Sequence, residues 1–138
     1  MREIQLLASN VDGNRIDYQY RASEEISGYF KEKSMFIEYT SSVESVPKSL
    51  LAIPFVANVL PIIWMTDSTL WIEEIDRTFY ECLLRLKSAF QDLYPTAKLR
   101  GRVVAAKLIE NTYNPTREAL LLFSGGIDAH VSYLRLRE

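Results

Sequence analysis

A run of apolar residues near the C-terminus ends at a pair of glycines, and this run constrains the fold more than any other part of the sequence. Residues 119–123 read Ala-Leu-Leu-Leu-Phe, and the stretch Ser-Gly-Gly-Ile-Asp follows directly at 124–128. A strand that is apolar at every position has to be covered on both faces, which is typical of parallel strands flanked by helices. We therefore predict a buried strand, a turn at the two glycines, and a helix that opens at Ile127 or Asp128.

The preceding part of the chain alternates between strand and helix patterns. Asp12-Gly13 is a strong reversal signal, so residues 4–21 predict two strands joined by a turn. Further strands are predicted at 35–40, 69–75 and 99–110. Ser23 is followed by two glutamates, a pattern typical of a helix N-cap with acidic residues in the first turn. We therefore predict a short helix that begins after Ser23 and ends near Lys33.

The clearest helix pattern follows Asp76 and extends to about Leu93. We predict that Asp76 is the N-cap of this helix. Its large apolar residues are spaced 4, 3, 4 and 3 apart, which places them on one helix face; they are Phe79, Leu83, Leu86, Phe90 and Leu93. We expect this face to pack into the core. Trp64 and Trp71 lie in apolar segments and are also expected in the core.

The most apolar segment, residues 50–65, is interrupted by Pro54, Asn58 and Pro61. It is shorter than the roughly 20 residues that span a bilayer, and the N-terminus lacks the apolar run of a secretory signal. We therefore expect a cytoplasmic protein without membrane association, in which this segment is buried core and a helix or strand ends near each proline. The single cysteine fits a reducing compartment, and the net charge of −2 gives no general electrostatic reason to bind nucleic acid.

The glycine turn is a candidate phosphate site. A strand, a glycine turn and a helix in this order present backbone N–H groups and the positive end of a helix dipole to an anion. The turn resembles the Ser-Gly-Gly-x-Asp-Ser signature of the PP-loop family of ATP pyrophosphatases, which Ser124, Gly125, Gly126 and Asp128 match. Ala129 stands where the family has its second serine, so one hydroxyl ligand is missing. The resemblance covers only the end of the chain, and residues 1–117 resemble no family of known function.

The resemblance implies an ATP-dependent adenylating enzyme of ligase, amidotransferase or thiolation type, with ATP and Mg²⁺ as cofactors and a further, unidentified substrate. Ser124 and the backbone amides of residues 125–128 would hold the pyrophosphate part of ATP, with Ile127 as the variable position, and Asp128 would position the loop or the magnesium ion. No catalytic residue is assigned. A nucleotide domain of this kind needs further strands to bind adenine and ribose. We therefore expect an N-terminal fragment that is inactive alone, or a remnant whose loop has lost its context.

The predicted architecture is an α+β fold, a mixed sheet with flanking helices, that ends in the first strand, loop and helix of a Rossmann-like nucleotide domain. Residues 1–117 form the expected N-terminal α+β accessory domain, and residues 118–138 form the start of a truncated PP-loop domain. At this length one core can hold the fold without disulfides or a structural metal.

Two other functions are compatible with the sequence. In the first, residues 1–117 recognise a substrate or partner without catalysis, and the glycine turn is only a junction that Ser124 or Asp128 caps. In the second, which is the weaker of the two, a basic ribbon binds RNA; its residues are Lys98, Arg100, Arg102 and Lys107. A strand with one solvated face explains these cations without RNA, and we prefer that explanation.

The remaining chemically reactive side chains have structural explanations that we prefer. His130 is the only histidine, so it lacks a second imidazole for a metal site or proton relay. Cys82 is expected to be a small core residue rather than a nucleophile. Exposure and helix capping explain the acidic residues that might otherwise suggest magnesium binding; they are Asp67, Glu73, Glu74 and Asp76. We predict no metal site.

Overall fold

The computed structural model describes residues 2–30, 34–112 and 127–136. The elements are β1 (Glu3–Asp12), β2 (Arg15–Ala22), α1 (Glu24–Ser27), β3 (Ser34–Glu38), α2 (Lys48–Leu51), α3 (Ile53–Met65), β4 (Thr69–Asp76), α4 (Arg77–Leu93), β5 (Arg102–Ile109) and α5 (Ile127–Leu136). The strands form one five-stranded mixed sheet with helices, so the predicted α+β class is confirmed. The predicted strand at 119–123 lies outside the described residues.

The sheet has the strand order β3-β2-β1-β4-β5. The β1–β2–β3 half is antiparallel, and Gly13 turns the first hairpin with a φ of 57°, as the Asp12-Gly13 signal predicts. The other half is parallel: β4 pairs with β5 along its whole length, with α4 as the connection between them. β1 joins the two halves, but it pairs with β4 only from Glu3 to Gln5.

The core lies on one face of the sheet. Side chains that are paired across strands point to the same face, and in one such row Ile4 and Leu70 are fully buried. Tyr18 is also fully buried, and its hydroxyl donates to the Leu51 carbonyl at 2.8 Å. In the adjacent row, Gln5 is paired with Trp71, whose side chain is 40% exposed on the opposite face. The prediction of a core position was therefore right for Trp64 and wrong for Trp71.

Helix α3 is continuous through Pro61, which corrects the expectation that a helix or strand ends near each proline. Pro54 lies in the first turn of the helix. An N–H at that position would have no acceptor within the helix, so proline loses no hydrogen bond there. Pro61 is exposed, and so is Ala57, whose carbonyl would have accepted the missing bond. Water can therefore solvate that carbonyl, and the buried side chains of the opposite face keep the helix in place.

Helix α4 begins and ends where the sequence predicts, but its apolar face is only half buried. Asp76 caps it by accepting from the Phe79 N–H at 2.8 Å, and Leu83 is 6% exposed. Leu86 and Phe90, by contrast, are 44% and 41% exposed. The first two turns pack on the core, whereas in the later turns Phe90 contacts Trp64 at the end of α3 and Lys87 and Gln91 donate hydrogen bonds to the segment before β5. The expectation that the whole face is core is therefore wrong, and so is the core position of Cys82, which is exposed.

Two other boundaries differ from the sequence prediction. Helix α1 ends at Ser27 rather than near Lys33, and the hydroxyl of Ser23 accepts from the Glu3 N–H at 3.1 Å instead of capping the helix. Strand β5 begins at Arg102 rather than at 99. The Arg100 N–H donates to the Trp64 carbonyl at 3.2 Å, which ties this segment to α3 instead of to β4.

Candidate functional site

The described part of helix α5 extends from Ile127, the residue after the Ser-Gly-Gly motif, to Leu136. The first N–H groups of an α-helix have no acceptor within the helix, so they favour an anion at its N-terminus. Asp128 is the second residue of the helix, whereas Ser124, Gly125 and Gly126 lie outside the described residues. Of the five predicted loop residues, the structure describes Ile127 and Asp128, and both lie in α5.

Helix α5 exposes an apolar stripe. Ile127, Val131 and Leu134 are spaced 4 and 3 apart, so they lie on one face of the helix, and they are 83%, 44% and 62% exposed. His130 lies in the first turn, and its side chain is exposed. A helix with an apolar stripe gains its stability by packing that stripe against another element.

The acidic residues are not brought together. Asp67 lies in the turn before β4 with a φ of 56°, and Glu73 forms an ion pair with Lys48 at 2.5 Å. This hydrogen-bonded ion pair lowers the pKa of Glu73 and raises that of Lys48. Asp76 caps α4, as the capping explanation requires. Within the described ranges, no group of three or more histidine, cysteine or acidic side chains is arranged to hold a metal ion.

A buried polar cluster at the carboxyl ends of β4 and β5 was not expected from the sequence. Asp76 is 2% exposed, and its second carboxylate oxygen accepts from the Asn111 amide at 2.9 Å. The same amide donates to the Ser49 hydroxyl at 3.0 Å. Among the described residues every buried side-chain nitrogen and oxygen has a hydrogen-bond partner. The cluster therefore fastens α2 to the strand ends.

An aromatic cavity of about 340 Å³ lies between the ends of α3 and α4. It is lined by Pro61, Trp64, Met65, Phe90, Tyr94, Thr96, Ala97 and Leu99, none of which is charged. The Trp64 and Phe90 rings are 6.0 Å apart, and the Tyr94 ring stacks on Phe90 at 6.2 Å. On the side of the cavity formed by residues 96–99, the Ala97 carbonyl accepts a hydrogen bond from the side-chain amide of Gln91 at 2.7 Å.

The lining of the aromatic cavity suits an uncharged apolar group, because concave apolar surfaces with few polar atoms are typical of small-ligand sites. Sequence reasoning missed this cavity because Trp64 and Phe90 were both expected to be filled core positions. The available signal was the clustering of aromatic residues in the last turns of two helices, beside the break at Tyr94-Pro95.

The basic residues do not form one ribbon. Lys98 and Arg100 precede β5, and only Arg102 and Lys107 lie on it. Arg102 and Lys107 are five positions apart on this strand, and both are exposed. A clean alternation of solvated and buried positions is also not observed on this strand.

Within the described residues, the stretch Lys48–Met65 is the one helical segment long and apolar enough to cross a membrane, and half of it is buried inside the protein. The buried half carries the core contacts of α3. Compared with family models, with curated proteins and with solved structures, the chain matches none.

Proposed function

We propose that this chain is the N-terminal part of a PP-loop ATP-dependent adenylating enzyme, inactive by itself. In this proposal residues 1–117 are an accessory domain, and the Ser-Gly-Gly-x-Asp turn at 124–128 holds the pyrophosphate part of Mg²⁺-ATP. One observation carries the proposal: α5 begins at Ile127, so the motif leads directly into a helix N-terminus. That is the position where backbone N–H groups and the helix dipole favour phosphate.

The exposed stripe of α5 also supports the proposal. Ile127, Val131 and Leu134 are apolar and exposed, whereas a helix that follows a phosphate loop packs such a stripe against the sheet of its nucleotide domain. The proposed enzyme supplies that sheet from elements other than those described. Adenine and ribose would bind there, so this chain alone is expected to bind phosphate weakly and to release no pyrophosphate from ATP.

A titration with inorganic pyrophosphate and Mg²⁺, followed by amide NMR, tests the proposal. We expect shifts confined to residues 124–130 in the wild type and lost in the Asp128→Ala variant. Ala129→Ser is expected to strengthen them, because it restores a hydroxyl ligand. Asp92→Ala is the matched control, since it removes an exposed carboxylate from a different helix. Shifts that persist in Asp128→Ala, or that spread over β1 to β5, would contradict the proposal.

A second candidate function is recognition without catalysis, and the aromatic cavity favours it. The cavity lies entirely within residues 61–99 and contains none of the residues that match the PP-loop motif. Titration with indole is expected to shift the ring resonances of Phe90 and Tyr94, and Thr96→Phe, which fills the cavity, should abolish those shifts. Indole binding together with no response to pyrophosphate would favour recognition over adenylation.

A further inference from the structure

The aromatic cavity has a buried floor and an exposed rim. Trp64 is 5% exposed, whereas Phe90, Tyr94 and Met65 are 41%, 53% and 75% exposed, and all four side chains line the cavity. Its volume of about 340 Å³ lies at the lower end of the range for small-ligand sites. Large apolar side chains that are exposed around a concavity mark a binding surface. A ligand can therefore enter from solvent and cover apolar surface that the fold leaves open.

Backbone hydrogen bonds hold the walls of the aromatic cavity in place. The Tyr94 N–H donates to the Phe90 carbonyl at 2.9 Å, and the Ala97 N–H donates to the Tyr94 carbonyl at 2.9 Å. The Arg100 N–H donates to the Trp64 carbonyl, which ties the segment before β5 to helix α3. A site that is formed in advance loses little conformational entropy when it binds, so a small apolar ligand can bind it with measurable affinity.

The charges around the aromatic cavity argue against an ionic ligand. Among the described residues, no charged side chain lines it, so neither an ammonium group nor a carboxylate would find a partner of opposite sign there. Lys98 and Arg100, the neighbours of the lining residue Leu99, are exposed and positive, which disfavours a cation further. A nucleobase has polar atoms along its edges and would lose hydrogen bonds to water in this largely apolar lining.

The aromatic rings of the lining favour an aromatic ligand over an aliphatic one. The Trp64 ring is inclined by 55° to the Phe90 ring, and the Tyr94 ring is inclined by 26° to it. The cavity therefore presents aromatic side chains in more than one orientation. Aromatic pairs prefer offset-stacked or edge-to-face arrangements, and such a pair raises an affinity by about 2- to 12-fold beyond the burial of area.

We propose that the aromatic cavity binds an uncharged, apolar aromatic molecule of one or two fused rings. Phe90 and Tyr94 contact its ring system from α4, and Trp64 contacts it from α3. The proposal rests on the second candidate function, recognition without catalysis, and names the class of ligand that this function requires. It does not involve residues 124–128, so it is independent of ATP binding.

Calorimetric titration with 2-naphthol tests the ligand class, and decahydro-2-naphthol is the saturated analogue with the same carbon skeleton. Burial of apolar area alone would favour the two molecules similarly, so the difference between them measures the aromatic contacts. We expect 2-naphthol to bind about tenfold more tightly. N-methylquinolinium, a cationic ring system of similar size, and adenosine, which carries a nucleobase, are both expected to bind more weakly than 2-naphthol.

A variant that removes one ring tests the site itself. Tyr94 is 53% exposed, so Tyr94→Leu should fold, as circular dichroism can verify. We expect it to weaken 2-naphthol binding by about threefold or more and to change the affinity for decahydro-2-naphthol little, because leucine keeps the wall apolar. Tyr29→Leu is the matched control, since Tyr29 is 61% exposed and does not line the cavity. It should bind both molecules like the wild type.

Three results would overturn the proposal: equal affinity for 2-naphthol and decahydro-2-naphthol, tighter binding of N-methylquinolinium or adenosine than of 2-naphthol, or equal losses in Tyr94→Leu and Tyr29→Leu. Each of these results contradicts the ligand class while the cavity still binds a molecule, so recognition would stand. A protein that binds neither indole nor 2-naphthol would contradict recognition as well. Failure of the ligand class is thereby distinguishable from failure of the function on which it rests.

Discussion

Gly101 occupies a position where no side chain fits. A Cβ built there would lie 2.8 Å from the Ser68 carbonyl oxygen and closer still to the carbonyl of Ile63. Both neighbours are backbone atoms, so neither can move aside by changing a rotamer. This close approach lets the segment before β5 reach the end of α3, where Thr96, Ala97 and Leu99 of this segment line the aromatic cavity.

We expect Gly101→Ala to destabilise the protein by about 1–3 kcal/mol or more, which is the cost of overpacking a rigid site. Gly28→Ala is the matched control, because a Cβ at that position meets nothing within 4 Å and its φ of −62° suits alanine. The control should be neutral or slightly stabilising. Urea denaturation measures both changes, and equal stabilities of the two variants would refute the steric explanation.

The Lys48–Glu73 ion pair gives a pH prediction. The hydrogen bond from Lys48 lowers the pKa of Glu73 from its ordinary value of 4.5. Because the folded pKa is the lower one, the contribution of the pair to stability is present above pH 4.5 and is lost as the pH falls through the folded pKa. In Lys48→Met we expect the Glu73 carboxyl to titrate closer to 4.5 in a carbon-13 NMR titration. An unchanged midpoint would mean that the pair does not persist in solution.

At the scale of elements, α4 shows what decides whether a helix face becomes core. Its apolar residues share a face by their spacing, yet Leu83 is 6% exposed and Leu86 is 44% exposed. The difference lies in the neighbouring side chains: Leu83 packs into the buried core cluster, whereas Leu86 is not part of it. Amphipathic spacing therefore identifies a face but not the length over which that face is covered.

We expect Leu83→Ala to lower the free energy of unfolding by about 2–5 kcal/mol, through lost transfer energy and the cavity it leaves. Leu86→Ala should cost less than about 1 kcal/mol, because much of its side chain already contacts water. Denaturant titration of both variants measures these two losses in the free energy of unfolding. A comparable loss in Leu86→Ala would indicate that its side chain is covered in solution, for example by a second element that docks on α4.

At the scale of the whole molecule, the buried apolar side chains of the described residues all lie between Ile4 and Leu83. They join β1, β2, β4 and α3 into one core, and its central strand pair brings Ile4 against Leu70. The described side chains of α5 take no part in it. Local stability is expected to follow this distribution, since regions with few buried apolar contacts open most easily.

Hydrogen exchange tests this gradient. We expect the amides of β1 and β4 to show the slowest exchange and those of α5 the fastest among the helices of eight or more residues. The exposed stripe on Ile127, Val131 and Leu134 is the reason. Equal protection of α5 and β4 would show that α5 docks on the core, which would leave its stripe unavailable to a nucleotide domain.

Much of the secondary structure follows from local chemistry. The Asp12-Gly13 turn and the Asp76 cap each depend on residues close together in the chain, and both predictions are confirmed. The glycine turn itself stays a prediction. The aromatic cavity was not predictable in this way, because it combines residues of α3 and α4 with residues before β5 that no local pattern connects.

What the sequence determined by itself is the set of local preferences: the α+β class and the main strands and helices. What only the tertiary structure decided is which of these surfaces are covered. Pro61 continues a helix because the carbonyl of Ala57, which would have accepted the missing hydrogen bond, belongs to an exposed residue. Trp71 is exposed because its face of the sheet is open, and Leu86 is 44% exposed although it shares a helix face with Leu83. The physical reason is that propensity and capping act over a few neighbouring residues, whereas burial depends on contacts between distant segments, such as Gly101 against Ile63.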